Sequence, residues 1–258
     1  MDEAMKRYRK IVIVTGGTKG IGYATAKKFL EKGDTVVIAS NYHGQETDDI
    51  ISELKKVGDA SFVSCNVSKK EECENVVKYA IEKYGQVDVL ANVAGIVGKR
   101  VSFLDSDLAD TKNVINVNIM GTLNISYFAA KEMVKRKYGV IINVGSICGF
   151  MANTEAVGYH ASKGGVKIAT QSMARELGVE GIRVLSIAPA WVNTGMIEQE
   201  IADFAGKMHL KGRVIEPDEI ANAIYLMSLD EASAINGTTV MADDGYTSFK
   251  GLDIEKIN

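Results

Sequence analysis

Apolar runs and amphipathic stretches alternate along this chain almost from end to end. Seven runs, at 11–15, 35–40, 60–65, 87–92, 140–144, 183–188 and 238–241, are short and mostly apolar at consecutive positions. Neighbouring strand residues point to opposite faces of a sheet, so continuous apolarity suits strands covered on both sides. Between them, 21–32, 45–57, 69–84, a long region 107–137, 157–178 and 217–228 carry helical spacing of apolar residues. Strand and helix in strict alternation predict an α/β fold, a doubly wound parallel sheet of about seven strands with helices on both faces. With two prolines and no repeat or low-complexity tract, nothing marks a linker, and a single domain over 1–258 is expected. The segment 191–213 is the one long insertion. It follows the sixth strand, and ligands of open α/β sheets sit beyond the carboxyl ends of strands, so it is placed to act as a substrate lid. A plain pair of surface helices is the competing reading.

Composition narrows the partners. Lys plus Arg number 30 and Asp plus Glu 33, a net charge of −3, which gives no reason to expect nucleic acid or an anionic membrane. No apolar run approaches the roughly 18 residues of a membrane span. The first ten residues are polar and basic with no apolar core behind them, so no secretory signal is expected. Three cysteines, Cys65, Cys73 and Cys148, fit neither a disulfide framework nor a metal site and suit reduced thiols in the cytoplasm, the expected compartment. His43, His160 and His209 are scattered, and no metal is expected.

The first strand runs straight into Thr15-Gly16-Gly17-Thr18-Lys19-Gly20-Ile21-Gly22, which opens a helix. Glycines there allow a tight turn and let backbone N–H groups approach a pyrophosphate, whose charge a helix N-terminus favours. Strand before and helix after make a dinucleotide site the preferred reading over a bare structural turn. The spacing is Gly-x-x-x-Gly-x-Gly.

With that spacing the chain resembles the short-chain dehydrogenase/reductase family, in its single-domain branch of about 250 residues. The resemblance runs from about Arg9 to Gly245 and rests on 15–22, Asn66-Val67, Asn92-Val93-Ala94-Gly95, Asn118, Ser146, Tyr159-x-x-x-Lys163 and 189–194. It implies a Rossmann-type sheet, a homo-oligomer (dimer or tetramer) and a small-molecule substrate. It also implies a cofactor site built from Gly16, Thr18, Lys19, Gly20, Ile21, Gly22, Ser40, Asn41, Asn66, Val67, Asn92, Ala94, Gly95, Tyr159, Lys163, Pro189, Val192 and Thr194. In this pattern Asn66 and Val67 touch the adenine, and Val192 and Thr194 hold the carboxamide. Two departures from the family are Val93, where a second asparagine is usual, and Ala190, where a glycine is usual.

Cofactor choice sits at the end of the second strand, where an acid commonly binds the ribose 2′-hydroxyl of NAD. Here Ser40-Asn41-Tyr42-His43 offers no carboxylate to repel a 2′-phosphate, and Lys19 stands where many NADP members carry a basic residue. NADP(H) is favoured over NAD(H).

Five of the ten tyrosines have a lysine four residues on, so Tyr-x-x-x-Lys alone says little. Requiring the family's serine thirteen residues upstream leaves Tyr159 with Ser146 and Tyr246 with Ser233; requiring its asparagine leaves Tyr159 with Asn118. The chemistry suits these types. Adding hydride to a carbonyl builds negative charge on oxygen, which must be stabilised and protonated. A phenol can give that proton, but a reference pKa near 10 makes it a poor base in reverse. Lys163, one helical turn on, would supply a positive charge that favours phenolate. Ser146 would hydrogen-bond the substrate oxygen. By the resemblance, Asn118 breaks its helix locally and holds a water linking Lys163 to solvent. Catalytic roles are therefore expected for Asn118, Ser146, Tyr159 and Lys163.

Substrate walls are expected from Val97, Ser146, Cys148, Phe150, Tyr159, Trp191, Met196, Phe204 and Met208. The set is largely apolar and fairly bulky, which suits a large hydrophobic ketone or secondary alcohol such as a hydroxysteroid or bile acid. Two branches of the family fit: bacterial hydroxysteroid dehydrogenases and 3-oxoacyl-(acyl-carrier-protein) reductases. An acidic carrier wants a basic rim, which the net charge discourages and Lys131, Lys135, Arg136 and Lys137 could still supply. A reading of another class is a non-catalytic dinucleotide-sensing protein, against which the retained Asn118, Ser146, Tyr159 and Lys163 argue.

Overall fold

The computed structural model describes residues 8–195 and 199–248. Its strands are β1 (Ile11–Thr15), β2 (Thr35–Ser40), β3 (Ala60–Ser64), β4 (Val89–Asn92), β5 (Gly139–Val144), β6 (Ile182–Pro189) and β7 (Thr239–Ala242). All pair in parallel in one sheet of order β3-β2-β1-β4-β5-β6-β7. The order reverses direction between β1 and β4, which opens a crevice at the carboxyl ends of those two strands. Strand ends differ from the sequence reading by one or two residues, where ladder-like bonds continue past the last pair, as from Cys65 N–H to Ser40 O at 2.9 Å.

The helices are α1 (Gly20–Glu31), α2 (Gln45–Val57), α3 (Lys70–Tyr84), α4 (Leu108–Ile115), α5 (Gly121–Arg136), α6 (Val157–Leu177), α7 (Gln199–Gly206) and α8 (Pro217–Ser228). Every residue of β1 is buried, and its pleat divides the core. Val12 and Val14 face Phe29 and Leu30 of α1 and Ile220 and Ile224 of α8. Ile13 faces Val76 of α3 and Ile125 and Met133 of α5 on the opposite side. The continuous apolar strands thus have the physical cause expected: both faces are covered. No described helix is long and apolar enough to cross a membrane.

One feature of the long region 107–137 bears on the site. It breaks locally at Asn118, as the resemblance implied: α4 and α5 are separated by a π-helical turn, Asn116–Met120. Such a turn carries one residue more than α geometry and shifts the faces of the helix that follows.

Candidate active site

The glycine turn is shaped by contacts that leave no room for side chains. Gly16 has φ +65° and donates its N–H to Ala39 O at 2.8 Å; an added Cβ would lie 3.0 Å from Ala94 Cα. A Cβ on Gly22 would lie 2.0 Å from Gly16 O. Thr15 Oγ1 accepts from the N–H groups of Val93 (3.0 Å) and Ala94 (3.1 Å), so the ends of β1 and β4 are tied across the crevice. The first turn of α1 contains no acid and Lys19 makes no side-chain cap, which leaves its N–H groups for an anion. Thr194 Cγ2 comes within 3.1 Å of where a Gly20 side chain would start, so the loop after β6 closes the other side.

At the end of β2, the Ser40 and Thr18 hydroxyls are hydrogen-bonded at 2.9 Å, while Asn41 and Lys19 are exposed. Asn66 Oδ1 is occupied by Ser68 N–H (3.0 Å) and Oγ–H (2.8 Å), and buried Val67 packs where a side chain on Gly121 would go. Asn92 is buried and donates to Ser126 Oγ and Asn143 Oδ1, both at 2.9 Å, beneath the crevice floor.

The buried Asn118 lies in the π turn. Its amide accepts from Ile96 N–H (2.8 Å) and donates to Ile96 O (2.8 Å) and Ser162 Oγ (2.9 Å). Gly95 sits between this amide and Lys163: an added Cβ would lie 3.2 Å from Asn118 Oδ1 and 3.6 Å from Lys163 Nζ. Bare backbone therefore floors the crevice from Gly16 to Gly95, and the residues present fit an extended nicotinamide dinucleotide.

Ser146 follows β5 and is buried; its Oγ accepts from Cys148 N–H at 3.1 Å. Tyr159 and Lys163 lie on the first turns of α6, with Lys163 Nζ 5.6 Å from the Tyr159 ring centre. Lys163 is buried and donates to Val144 O at 2.8 Å. Desolvation pulls its pKa down to about 8, slightly opposed by the Cys148 thiol. Burial pushes the Tyr159 phenol up to about 12, while the Ser146 hydroxyl and the Arg100 charge pull the other way. Here the expectation needs correcting. In the protein alone, burial outweighs any acidifying charge, and Lys163 gives its hydrogen bond to a backbone carbonyl rather than to the phenol.

A cleft of about 650 Å³ opens over these groups. It is lined by Ser146, Tyr159 and Lys163, by Ile21, Gly95, Pro189, Val192 and Thr194 of the expected cofactor set, and by Val97, Cys148 and Trp191 of the expected substrate set. Phe150, Phe204 and Met208 are not among its lining residues. Phe150 turns outward under the Lys167 ammonium, 4.0 Å from its ring centre, Phe204 is 65% exposed on α7, and Met208 is half-buried beyond that helix. Met196 lies outside the described residues. Ala190, in place of glycine, also lines the cleft and has no left-handed backbone to strain. Val93 lines it too.

Among the lining residues outside the expected set are four with polar or bulky side chains that bear on the substrate: Arg100 after β4, Ile201 on α7, Tyr246 after β7, and His160 beside Tyr159. Three lie in segments that follow strand carboxyl ends, the signal that could have found them. His160 Nδ1 lies 2.7 Å from Ala156 O while Nε2 accepts from Asn153 N–H at 3.2 Å, which makes Nδ1 the protonated nitrogen and ties the 150–156 loop to α6.

A family described as short chain dehydrogenase matches residues 10–204. Among curated proteins, a 3-oxoacyl-(acyl-carrier-protein) reductase of Thermotoga maritima is 33% identical over 246 residues, covering 93% of this chain and 99% of its own. A 3alpha-hydroxysteroid dehydrogenase of Mediterraneibacter gnavus is 35% identical over 247 residues, covering 93% and 97%. Among solved structures, ElxO with NADP bound superposes with a TM-score of 0.87 at 29% identity, covering 94% of this chain and all of that one.

Proposed function

This chain belongs to the short chain dehydrogenase family, an oxidoreductase acting on CH–OH groups with a nicotinamide dinucleotide, and on that premise we propose that its substrate is a bulky apolar secondary alcohol or ketone, with a hydroxysteroid or bile acid favoured. The observation that carries this reading is the convergence of Ser146, Tyr159 and Lys163 on one roomy cleft walled mainly by apolar side chains.

When bound, the dinucleotide supplies or accepts hydride at the carbon of the reacting group. Ser146 Oγ–H donates to the substrate oxygen and fixes it beside Tyr159. The Tyr159 hydroxyl gives its proton to that oxygen as negative charge builds there, and takes it back in the oxidative direction. Lys163, whose pKa of about 8 leaves it mostly charged at neutral pH, favours the phenolate left behind. Asn118 acts as a positioning residue, holding the 95–96 backbone against Lys163.

NADP(H) is the proposed cofactor, supported by the carboxylate-free end of β2, the Thr18–Ser40 hydroxyl pair and the exposed Lys19. Cytoplasmic location and a dimer or tetramer complete the proposal. The similarity to a 3-oxoacyl-(acyl-carrier-protein) reductase supports a second reading. Against it, Arg136 spends its charge on buried Asp88 at 2.8 Å and Lys135 on Glu132 at 2.6 Å, which weakens the basic rim a carrier protein needs.

Absorbance at 340 nm with purified protein, both cofactors, and a panel of steroids, bile acids, sugars and acyl thioesters tests this. Steroid or bile-acid turnover leading the panel is the expected result. Leading turnover of 3-oxoacyl thioesters selects the second reading, and no turnover of any alcohol or ketone selects a dinucleotide sensor.

A further inference from the structure

The cleft has a charge asymmetry that the reaction does not use. None of its described lining residues is an aspartate or glutamate, in a chain that carries 33 of them. Its charged lining groups are Lys163, buried on the floor, and Arg100, exposed in the segment after β4. The Arg100 guanidinium carbon lies 5.5 Å from the centre of the Trp191 ring. Among the described residues no carboxylate forms an ion pair with it.

We propose that Arg100, held against Trp191, is a specificity-determining residue that binds an anionic group carried by an otherwise apolar substrate, away from its reacting carbonyl. The proposal rests on the reading of this cleft as the substrate site. A guanidinium lying over an indole is oriented by the ring and keeps its planar fork of donors for a carboxylate or phosphate, so less order is lost when an anion docks. With no acid in the lining, an arriving anion displaces no internal partner. A neutral ligand meets a cation it cannot satisfy, and a cationic one is repelled. The field of Arg100 also reaches Tyr159, whose phenol it lowers. Two chemistries would present such a group: the carboxylate of a steroid acid, and the phosphate of a phosphopantetheine thioester.

The test uses two substrate pairs that differ in that charge. One is a 3-keto bile acid and its methyl ester; the other is acetoacetyl-coenzyme A and acetoacetyl-N-acetylcysteamine. Each pair is run with NADPH on the wild type, Arg100→Gln and Arg100→Lys. Taking the ratio of kcat/KM within each enzyme cancels any loss of folding or chemistry common to both members. We expect the wild type to favour the anionic member of one pair by about tenfold or more, mainly through KM. Arg100→Gln should bring that ratio below about twofold, with Arg100→Lys between the two. Selectivity in the steroid pair assigns a carboxylate, and in the thioester pair a phosphate.

Equal ratios in the wild type and Arg100→Gln overturn the proposal, while turnover of the neutral methyl ester leaves the bulky-ketone reading standing. If the wild type turns over neither pair, that reading fails and binding decides about Arg100. Trp191 is the single tryptophan, so its emission reports on the stacked pair directly. In the NADP+-loaded protein, tighter saturation by the free bile acid than by its ester, lost in Arg100→Gln, supports the proposal. Equal responses to acid and ester overturn it.

Discussion

Asn118 and Ile96 exchange two hydrogen bonds, side-chain amide to backbone, both at 2.8 Å. The pair joins the π turn between α4 and α5 to the loop leaving β4, and a third bond from the same amide reaches Ser162 on α6 at 2.9 Å. One buried side chain thereby sets the distance between the crevice floor and the helix that carries Tyr159 and Lys163.

Asn118→Ala strips partners from Ile96 N–H, Ile96 O and Ser162 at once. Leaving buried backbone groups unsatisfied costs about 1–3 kcal/mol each, partly recovered by water in this open cleft. The expected loss is about 2 kcal/mol in urea unfolding, with kcat falling at least about tenfold and more than KM rises. Unchanged kcat in the folded variant would remove Asn118 from any positioning role.

Tyr159→Phe removes one oxygen from the cleft and little else. Turnover is expected to drop at least about a hundredfold, the scale of general acid–base catalysis, while NADPH affinity from fluorescence titration stays within about threefold. Near-normal turnover would pass the proton-transfer role to another group.

The sheet was legible because buried parallel strands announce themselves as unbroken apolar runs, and β1, β2 and β5 each obey that rule. The glycine turn and the Ser146–Tyr159–Lys163 set were legible as fixed spacings. Direction was not. Phe150 and Phe204 were chosen as walls for their apolarity, but apolarity does not say which way a loop or helix faces, and both point outward. The same bias hid Arg100 and Tyr246, since a pocket sought among apolar residues omits its polar lining. The break at Asn118 came from the family resemblance and not from the hydrophobic pattern, because one extra residue barely disturbs a helical pattern over thirty positions. The phenol's pKa escaped for a related reason: neighbouring charges can be read from spacing, whereas desolvation depends on the packed structure.

Cofactor choice rests on Lys19 and the end of β2. Lys19→Ala should lower the ratio of kcat/KM for NADPH to that for NADH about fivefold, since a solvated lysine near a 2′-phosphate contributes on the order of 1 kcal/mol. A wild type that prefers NADH by more than tenfold would end the NADP assignment before any variant is made.

Lys163 titrates at about 8 in the folded chain against an unfolded lysine near 10.5, so the unfolded state binds more protons between those values. Stability attributable to this group therefore rises with pH across the window, and the burial of its ammonium is most costly below pH 8. Lys163→Met has no such linkage. The unfolding free energy of the wild type relative to the variant should improve by about 2 kcal/mol from pH 7 to pH 9.5, whatever the packing cost of the substitution itself. Urea unfolding of both proteins at the two pH values, without dinucleotide, measures this double difference. A value near zero would mean that Lys163 keeps an ordinary lysine affinity for its proton. The bond to Val144 O would then offset the whole cost of burial, and the ammonium would stay charged throughout the working range of the enzyme.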